Sequence, residues 1–450
     1  MNELDSELVK QQLKNNSYKF VEEDKSADII LVNTCSVRDL SEQKVLSRLG
    51  YFKLLKDMKP QLIIGIIGCM AERKKEILIA YPQIDLLVGP NRLYEISTLL
   101  KNIIGISKRT KQVSLFNIDR KDSSLELLER MDLERLQDIE NRKQAYVRIT
   151  RGCNKFCSYC VIPKTRGFEI HRNKDAILYE IKALVEAGVV EITLLGQTVN
   201  HYPEFHALLK DIHDRFPKLE RLRFMTNYPR DISDDILDVM RNSSRICKYL
   251  HIPAQSGSNK ILKLMNRGYT REHYLALIRK ARSKMPDISI VGDMIVGFPG
   301  ETQEDFEQSL SLIEEVQYQN LYIFKYSPRP DTVSFRKMIE DVSSKEKQIR
   351  HFKMLSLQQQ ISLKHLKNQL GKIVVILVEK ALNAKLYMSA RLIGRTEGND
   401  VVIFQGSRDL IGKIVNIRIE YITSYILGGS FVSEFKNDHS YEDHKKTSQD

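Results

Sequence analysis

The chain has 450 residues, of which 42% are hydrophobic, so it is long enough to form two or three domains with substantial cores. Its 70 Lys and Arg residues outnumber 58 Asp and Glu, and a net charge of +12 favours a polyanionic partner such as RNA. No apolar run reaches the roughly 18 residues of a membrane span, and Met1 to Glu7 are too polar for a signal peptide, so we expect a cytoplasmic protein.

The N-terminal region predicts an open parallel sheet. Leucines at helical spacing predict an amphipathic helix over residues 2–15, and the apolar runs 27–34 and 62–68 predict buried strands, with a helix over 40–58 between them. A cysteine follows each strand, Cys35 after the first and Cys69 after the second. Ligands of open α/β sheets bind at the carboxyl ends of strands, so we interpret the pair as metal ligands rather than as buried apolar side chains. Two ligands alone are too few for a metal centre.

Residues 101–140 are charged and predict a linker with some helix. A strand at 145–150 follows, and then a loop that carries Cys153, Cys157 and Cys160 at CxxxCxxC spacing. Structural zinc prefers four protein ligands, whereas three thiolates on a 4Fe–4S cluster leave one iron open. The loop therefore predicts an iron–sulfur centre with chemistry at the open iron.

Strand and helix patterns then alternate and predict six β/α repeats, an incomplete parallel barrel. The strand-like runs are residues 145–150, 190–195, 221–225, 249–252, 288–295 and 321–326. Such barrels carry their chemistry at the carboxyl ends of the strands. The segments that follow the strands are polar or rich in glycine. Because Gly and Pro are also common in ordinary turns, the alternative is that these segments only connect strands to helices. Because they lie at or just after the carboxyl ends of these strands, we expect the following residues beside a cofactor: Gly196, Gln197, Gln255, Ser256, Ile295, Gly297, Phe298 and Pro299.

The last part of the chain predicts a long helix and then a small all-β barrel. Ser343 or Ser344 can cap a helix that runs to about residue 370, and short strands follow at 372–378, 387–391, 400–404 and 413–419. The turn at 395–399 suits a nucleic-acid surface, with a solvated basic face as the alternative. The basic residues that we expect at this surface are Arg391, Arg395, Lys413 and Arg418. The tail from about residue 435 predicts disorder.

Several motifs occur together in one order along nearly the whole chain. They are Asn33-Thr34-Cys35-Ser36-Val37-Arg38, Gly68-Cys69-Met70-Ala71-Glu72-Arg73, the CxxxCxxC loop, Leu195-Gly196-Gln197-Thr198-Val199-Asn200, His251-Ile252-Pro253-Ala254-Gln255-Ser256, Met265-Asn266-Arg267 and Ile295-Val296-Gly297-Phe298-Pro299. In this the chain resembles the radical S-adenosylmethionine methylthiotransferase family.

The resemblance implies an α/β fold in several parts. It implies an N-terminal open-sheet domain for the auxiliary cluster (1–105), a linker (106–138), a partial (β/α)6 radical-SAM barrel (139–369), a TRAM-like RNA-binding β-barrel (370–434) and a tail (435–450).

The resemblance also implies cofactors and an activity. Cys153, Cys157 and Cys160 would hold a 4Fe–4S cluster that binds S-adenosylmethionine, which serves as radical source and as methyl donor. Cys35 and Cys69 would help to hold a second 4Fe–4S cluster that supplies sulfur. The expected reaction is methylthiolation of carbon 2 of N(6)-dimethylallyladenosine next to the anticodon of tRNA. The expected partners are tRNA and a low-potential electron donor such as flavodoxin or ferredoxin, with the enzyme a monomer.

The N-terminus departs from the family pattern. The family's first segment normally reads Gly-Cys-Gln-Met-Asn after a strand, whereas this sequence starts at the Met-Asn, so that strand and the third auxiliary ligand are not in it. We therefore expect the true start to lie upstream. Cys247 is not expected to replace the ligand, because its position before a barrel strand favours a buried structural role.

Two other functions are compatible with the sequence. One is methylthiolation of N(6)-threonylcarbamoyladenosine in tRNA or of an aspartate in a ribosomal protein. The other is a degenerate RNA-binding protein without methylthio transfer.

Overall fold

The computed structural model describes residues 1–35, 39–105, 113–115, 122–139, 142–382 and 390–435. Three sets of strands build the molecule: an N-terminal sheet, a central barrel and a C-terminal barrel. None of the helices in these ranges combines the length and the apolar character needed to cross a membrane.

The N-terminal sheet is parallel and has the order β1-β2-β3-β4. Its strands are β1 (Ile29–Thr34), β2 (Ile63–Gly68), β3 (Leu86–Val88) and β4 (Val113–Leu115). The helices around it are α1 (Asn2–Asn15), α2 (Asp39–Met58), α3 (Cys69–Arg73), α4 (Lys75–Ile79), α5 (Ile96–Ile104) and α6 (Asp122–Glu134). The predicted parallel sheet and its first helix are therefore confirmed.

Two details of this sheet differ from the sequence-based expectation. Strand β2 is buried along its whole length, but β1 is only half-buried from Ile29 to Asn33, because within the described ranges it pairs with β2 alone. Strand β4 extends the sheet at residues where we predicted a charged linker. Its three residues are too few for a period to be recognised.

The central part confirms the predicted partial barrel of six parallel strands. They are β5 (Gln144–Arg148), β8 (Glu191–Leu195), β9 (Arg221–Phe224), β10 (Tyr249–His251), β11 (Ser289–Val296) and β12 (Asn320–Lys325), with the short hairpin β6 (Thr150–Arg151) and β7 (Ile170–His171). The strands form two sheets, β5-β8-β9 and β10-β11-β12, and a parallel bridge between Leu222 and Ile246 joins them.

Most of the helices around the barrel contribute buried apolar side chains to its core. The helices are α7 (Ile162–Thr165), α8 (Lys174–Glu186), α9 (Phe205–Arg215), α10 (Asp234–Asn242), α11 (Asn259–Leu264), α12 (Arg271–Lys284), α13 (Gln303–Val316), α14 (Val333–Lys337) and α15 (Ser344–Lys367). Ser343 caps α15, because its hydroxyl accepts a hydrogen bond from the Glu346 amide at 3.1 Å. This confirms the cap that the sequence predicts.

The C-terminal strands close into a small barrel with the order β13-β14-β15-β17-β16, which confirms the predicted all-β unit. They are β13 (Ile373–Ala381), β14 (Ala390–Thr396), β15 (Val401–Gly406), β16 (Ile414–Ile422) and β17 (Leu427–Glu434). The predicted strand at 387–391 lies mostly outside the described residues, and so does the predicted tail beyond residue 435.

The turn between β14 and β15 docks on the central barrel. Arg223 donates hydrogen bonds to the carbonyls of Thr396 at 2.7 Å and Glu397 at 2.6 Å. Arg221 donates to the carbonyl of Arg395 at 2.8 Å. Arg221 is the first residue of β9, and the side chain of Gln319, directly before β12, donates to the carbonyl of Gly398 at 3.3 Å. The turn therefore covers the base of the barrel, opposite the end that carries the cysteine loop. The sequence favoured this turn as a nucleic-acid surface, whereas its backbone faces the protein.

We predict that Arg223→Met weakens this docking. The substitution removes one of the two hydrogen-bond donors to the Thr396 carbonyl, which keeps the Asn399 amide, and removes the donor to the half-buried Glu397 carbonyl. It also removes the 3.1 Å ion pair with the buried Glu191, so the total cost is about 3 kcal/mol. Native-state hydrogen exchange of the β14 and β15 amides measures the loss. Lys218→Met, which removes an exposed positive charge near the start of the same strand, is the control. Equal exchange in the two variants would contradict the prediction.

Candidate metal and cofactor site

The cysteine loop begins at a tight backbone turn beside the β6–β7 hairpin. Gly152 has a φ of +69°, and a Cβ at this position would collide with the backbone carbonyl of Phe168. The amide of Cys153 donates a hydrogen bond to the carbonyl of Gly167 at 3.2 Å. A residue with a side chain is excluded here on both conformational and steric grounds. The turn positions the loop at the carboxyl end of β5, where the sequence predicts the chemistry.

The three thiols of the loop are free and accept hydrogen bonds from several groups. The Thr198 hydroxyl lies 3.4 Å from the sulfur of Cys153. Arg267 donates from Nη1 to the sulfur of Cys157 at 3.3 Å. Burial raises the pKa of Cys160 to about 12, and the neighbouring thiols of Cys157 and Cys153 add to the rise.

These contacts test whether the loop suits an iron–sulfur cluster. The sulfurs are close enough to influence one another's ionisation, and a hydroxyl and a guanidinium point at them. Donors of this kind stabilise sulfur in its anionic form and tune an iron–sulfur centre. The donor set therefore fits a cluster held by three thiolates.

At the carboxyl ends of the barrel strands, some of the predicted cofactor residues already have hydrogen-bond partners within the protein, and others do not. Gln197 follows β8, and its buried side-chain oxygen has no hydrogen-bond partner, so it is available to a ligand. Gln255 has a φ of +73°, and its backbone N–H donates a hydrogen bond to the backbone carbonyl of Asp293 at 2.8 Å. The Ser256 hydroxyl lies 3.3 Å from that of Ser309 and accepts from the amide of Ser258.

The other predicted cofactor residues pack closely against the protein. Phe298 is fully buried, and its ring packs against those of Tyr159 at 6.3 Å and Tyr326 at 5.1 Å, which connects the cysteine loop to the barrel. The remaining residues lie in buried or half-buried backbone at the carboxyl ends of β8 and β11: Gly196, Ile295, Gly297 and Pro299. The position at the mouth agrees with the sequence, and the individual contacts to a cofactor stay a prediction.

The second thiol pair lies at neighbouring strand ends, as the sequence predicts. Thr34 of β1 and Gly68 of β2 are paired in register, and Cys35 and Cys69 follow them directly. Cys69 is almost fully buried. Burial raises the pKa of its thiol, while the guanidinium of Arg166 opposes the rise and hydrogen-bonds to the thiol. The remaining cysteine, Cys247, is buried in the barrel beside Tyr249, in agreement with a structural role.

Arg166 joins the segment after the cysteine loop to the N-terminal thiol pair. It follows the CxxxCxxC loop by a few residues, contacts Cys69, and donates to the carboxylate of Asp5 at 2.7 Å. Neither Arg166 nor Arg267 is in the set of site residues that the sequence identified. Arg267 belongs to the Met265-Asn266-Arg267 motif, but the spacing of that motif does not reveal that its guanidinium turns back to a cysteine.

The predicted basic surface of the small barrel is mixed in charge. Arg391 and Arg418 are exposed. Arg395 lies 3.2 Å from Glu379, and Lys413 lies 2.7 Å from Glu434, so acidic groups partly neutralise these two. Binding of RNA by these four residues stays a prediction.

Three family descriptions match the sequence, one for each part of the fold. They are the uncharacterized protein family UPF0004 at residues 1–89, the radical SAM superfamily at 147–313 and the TRAM domain at 388–432. A tRNA-2-methylthio-N(6)-dimethylallyladenosine synthase from Carboxydothermus hydrogenoformans is 41% identical over 429 residues, which are 93% of this chain and 94% of that protein. The chain belongs to the radical S-adenosylmethionine methylthiotransferase family. It is therefore an enzyme of the radical SAM type whose cofactors are iron–sulfur clusters and S-adenosylmethionine.

Other relatives of this methylthiotransferase bear the same name. One from Rhodopirellula baltica is 39% identical over 448 residues, which cover 95% of this chain and 93% of the relative. Among solved structures, the radical S-adenosylmethionine methyltransferase TsrM from Kitasatospora setae has a TM-score of 0.54. At 16% identity, with 74% of each chain covered, it shows that the fold is shared and no more.

We predict that the thiol of Cys160 is poorly reactive when the protein is free of iron. A thiol with a pKa of about 12 carries about a thousandfold less thiolate at about pH 8 than one near 9, and thiolate is the reactive form. Iodoacetamide should therefore label Cys160 of the folded, iron-free protein at least about 100-fold more slowly than in urea. Peptide mass spectrometry measures the two rates, and similar rates would contradict the buried environment.

Proposed function

We propose that this enzyme adds a methylthio group to carbon 2 of N(6)-dimethylallyladenosine next to the anticodon of tRNA. The relatives that bear the name of this synthase support the proposal, because they match more than nine tenths of the chain at 39 to 41% identity. The TRAM domain match in the C-terminal barrel supports an RNA substrate. The hydrogen bond from Arg166, which follows the cysteine loop by six residues, to the thiol of Cys69 is the observation that carries the proposal.

The reaction requires a cofactor because an aromatic C–H bond has no acidity that a side-chain base could exploit. S-adenosylmethionine and the clusters supply the radical, the methyl group and the sulfur when they are bound. The protein's own residues bind, orient and exclude water. In this proposal Cys153, Cys157 and Cys160 hold the radical-generating cluster, and Cys35 and Cys69 supply two ligands to the auxiliary one.

The hydrogen-bond donors around the sulfurs have separate roles. Thr198 and Arg267 stabilise the anionic sulfur of Cys153 and Cys157. Arg166 does the same for Cys69 and fixes its position relative to the loop. Arg391 and Arg418 are the exposed cations that we assign to RNA phosphates. The proposal includes a monomeric cytoplasmic enzyme and a low-potential electron donor of the flavodoxin or ferredoxin type.

The two thiol sets predict different defects. Cys153→Ala removes a ligand of the radical-generating cluster, so formation of 5′-deoxyadenosine should fall to background. Cys69→Ala should leave that formation intact and abolish the methylthio product, because only the sulfur source is lost. Chromatography of 5′-deoxyadenosine and nucleoside mass spectrometry of the tRNA measure the two steps separately.

Cys247→Ala is the matched control, since it removes a buried thiol that lies in neither set. It should retain both products. Normal 5′-deoxyadenosine formation by Cys153→Ala would overturn the assignment of the loop. Nucleoside analysis of tRNA from cells that lack the gene tests the substrate, because the methylthio group should disappear from dimethylallyladenosine and stay on threonylcarbamoyladenosine.

A further inference from the structure

Three side chains that the reaction does not use converge beside the cysteine loop. Glu169 directly precedes β7 and His171 ends it, so the two residues are two positions apart. Side chains at this spacing in extended backbone point to the same side. His201 ends a short 3₁₀ helix, Val199–His201, that follows β8 at the barrel mouth. One ligand atom from each of the three lies within 4.8 Å of those from the other two.

Two atoms of this group are buried without a hydrogen-bond partner. They are one carboxylate oxygen of Glu169 and Nδ1 of His171. The side chain of Glu169 is only 1% exposed, and its other oxygen lies 2.7 Å from Nδ1 of His201. An unpaired buried polar atom costs about 1–3 kcal/mol, and more when the group is charged. Such a pair of atoms in one place calls for a partner, which a bound ion or a water would supply.

The charges around Glu169 indicate that this ligand is a cation. Elsewhere in the described chain, the buried carboxylates of Asp5, Asp132 and Glu180 each contact at least two arginines. For Glu169, the described ion pairs include His201 and no arginine or lysine. An anion would be repelled by the carboxylate, whereas a cation would satisfy the oxygen of Glu169 and the nitrogen of His171 together.

We propose that Glu169, His171 and His201 form a binding site for a divalent transition-metal ion of the zinc type. Two imidazole nitrogens and one carboxylate oxygen are a donor set that Zn²⁺ and its neighbours prefer over Mg²⁺ or Ca²⁺. Three protein ligands leave a coordination position open, and His201, whose side chain is 42% exposed, is the side on which solvent reaches the site. The site contains no cysteine, so its ligands differ from those of both thiol sets.

Zinc binding by the cluster-loaded protein tests the proposal. Full-length protein without a polyhistidine tag is reconstituted anaerobically, incubated with a small excess of Zn²⁺ and desalted, and its zinc and iron are measured by mass spectrometry. The wild type should retain one zinc more than His201→Asn and Glu169→Gln, with unchanged iron. Calorimetric titration should show affinity at least about 100-fold weaker in either variant. His206→Asn, on α9 just beyond the site, is the matched control and should bind zinc as the wild type does.

X-ray absorption at the zinc edge distinguishes this site from the thiols. Only nitrogen and oxygen neighbours at about 2.0–2.2 Å are expected, without sulfur at about 2.3 Å. His201 is at the surface, so His201→Asn should fold and keep its iron, which the same measurement verifies. Equal zinc retention by the wild type and His201→Asn, no zinc retention by the wild type, or a sulfur shell would each overturn the proposal.

Discussion

The buried ion cluster around Asp5 is the constraint on which the geometry of the site depends. Asp5, on α1, accepts hydrogen bonds from Arg148 at 2.8 Å and Arg166 at 2.7 Å. Burial alone would raise the pKa of this carboxyl group, but the two arginines outweigh burial and hold the pKa below its usual value. Arg148 precedes the cysteine loop and Arg166 follows it. The cluster therefore fixes both ends of the loop against the N-terminal domain, and removing one partner would leave a buried charge unpaired.

The same arginine that fixes the loop also contacts a thiol of the N-terminal domain. Arg166 contacts Cys69, while Arg267 contacts Cys157 on the other side of the loop. Each set of sulfurs therefore has a buried guanidinium beside it. Positive charge next to sulfur favours the thiolate and, in a loaded site, anionic cluster sulfur. At Cys69 the favourable charge and the attachment of the cysteine loop both depend on Arg166.

The sequence predicts those features whose cause is local. The apolar runs, the CxxxCxxC spacing and the Ser343 cap are each readable within a few residues, and the structure contains the corresponding strands, loop and helix start. The contact of Asp5 with Arg166 joins residues 161 positions apart and leaves no pattern in either segment. The docking of the β14–β15 turn depends on packing in the same way, so it did not follow from composition or periodicity.

The docking of the C-terminal barrel sets a minimum length for a substrate that contacts both this barrel and the cysteine loop. The turn after β14 covers the amino ends of the barrel strands through Arg221 and Arg223, whereas the cysteine loop lies at their carboxyl ends. Strands of three to eight residues that rise about 3.3 Å per residue separate the two ends by on the order of 10–25 Å. A substrate that contacts both the small barrel and the loop must extend at least that far. A free nucleoside is too short, whereas an RNA stem-loop has the required length and the negative charge that the exposed Arg391 and Arg418 would attract.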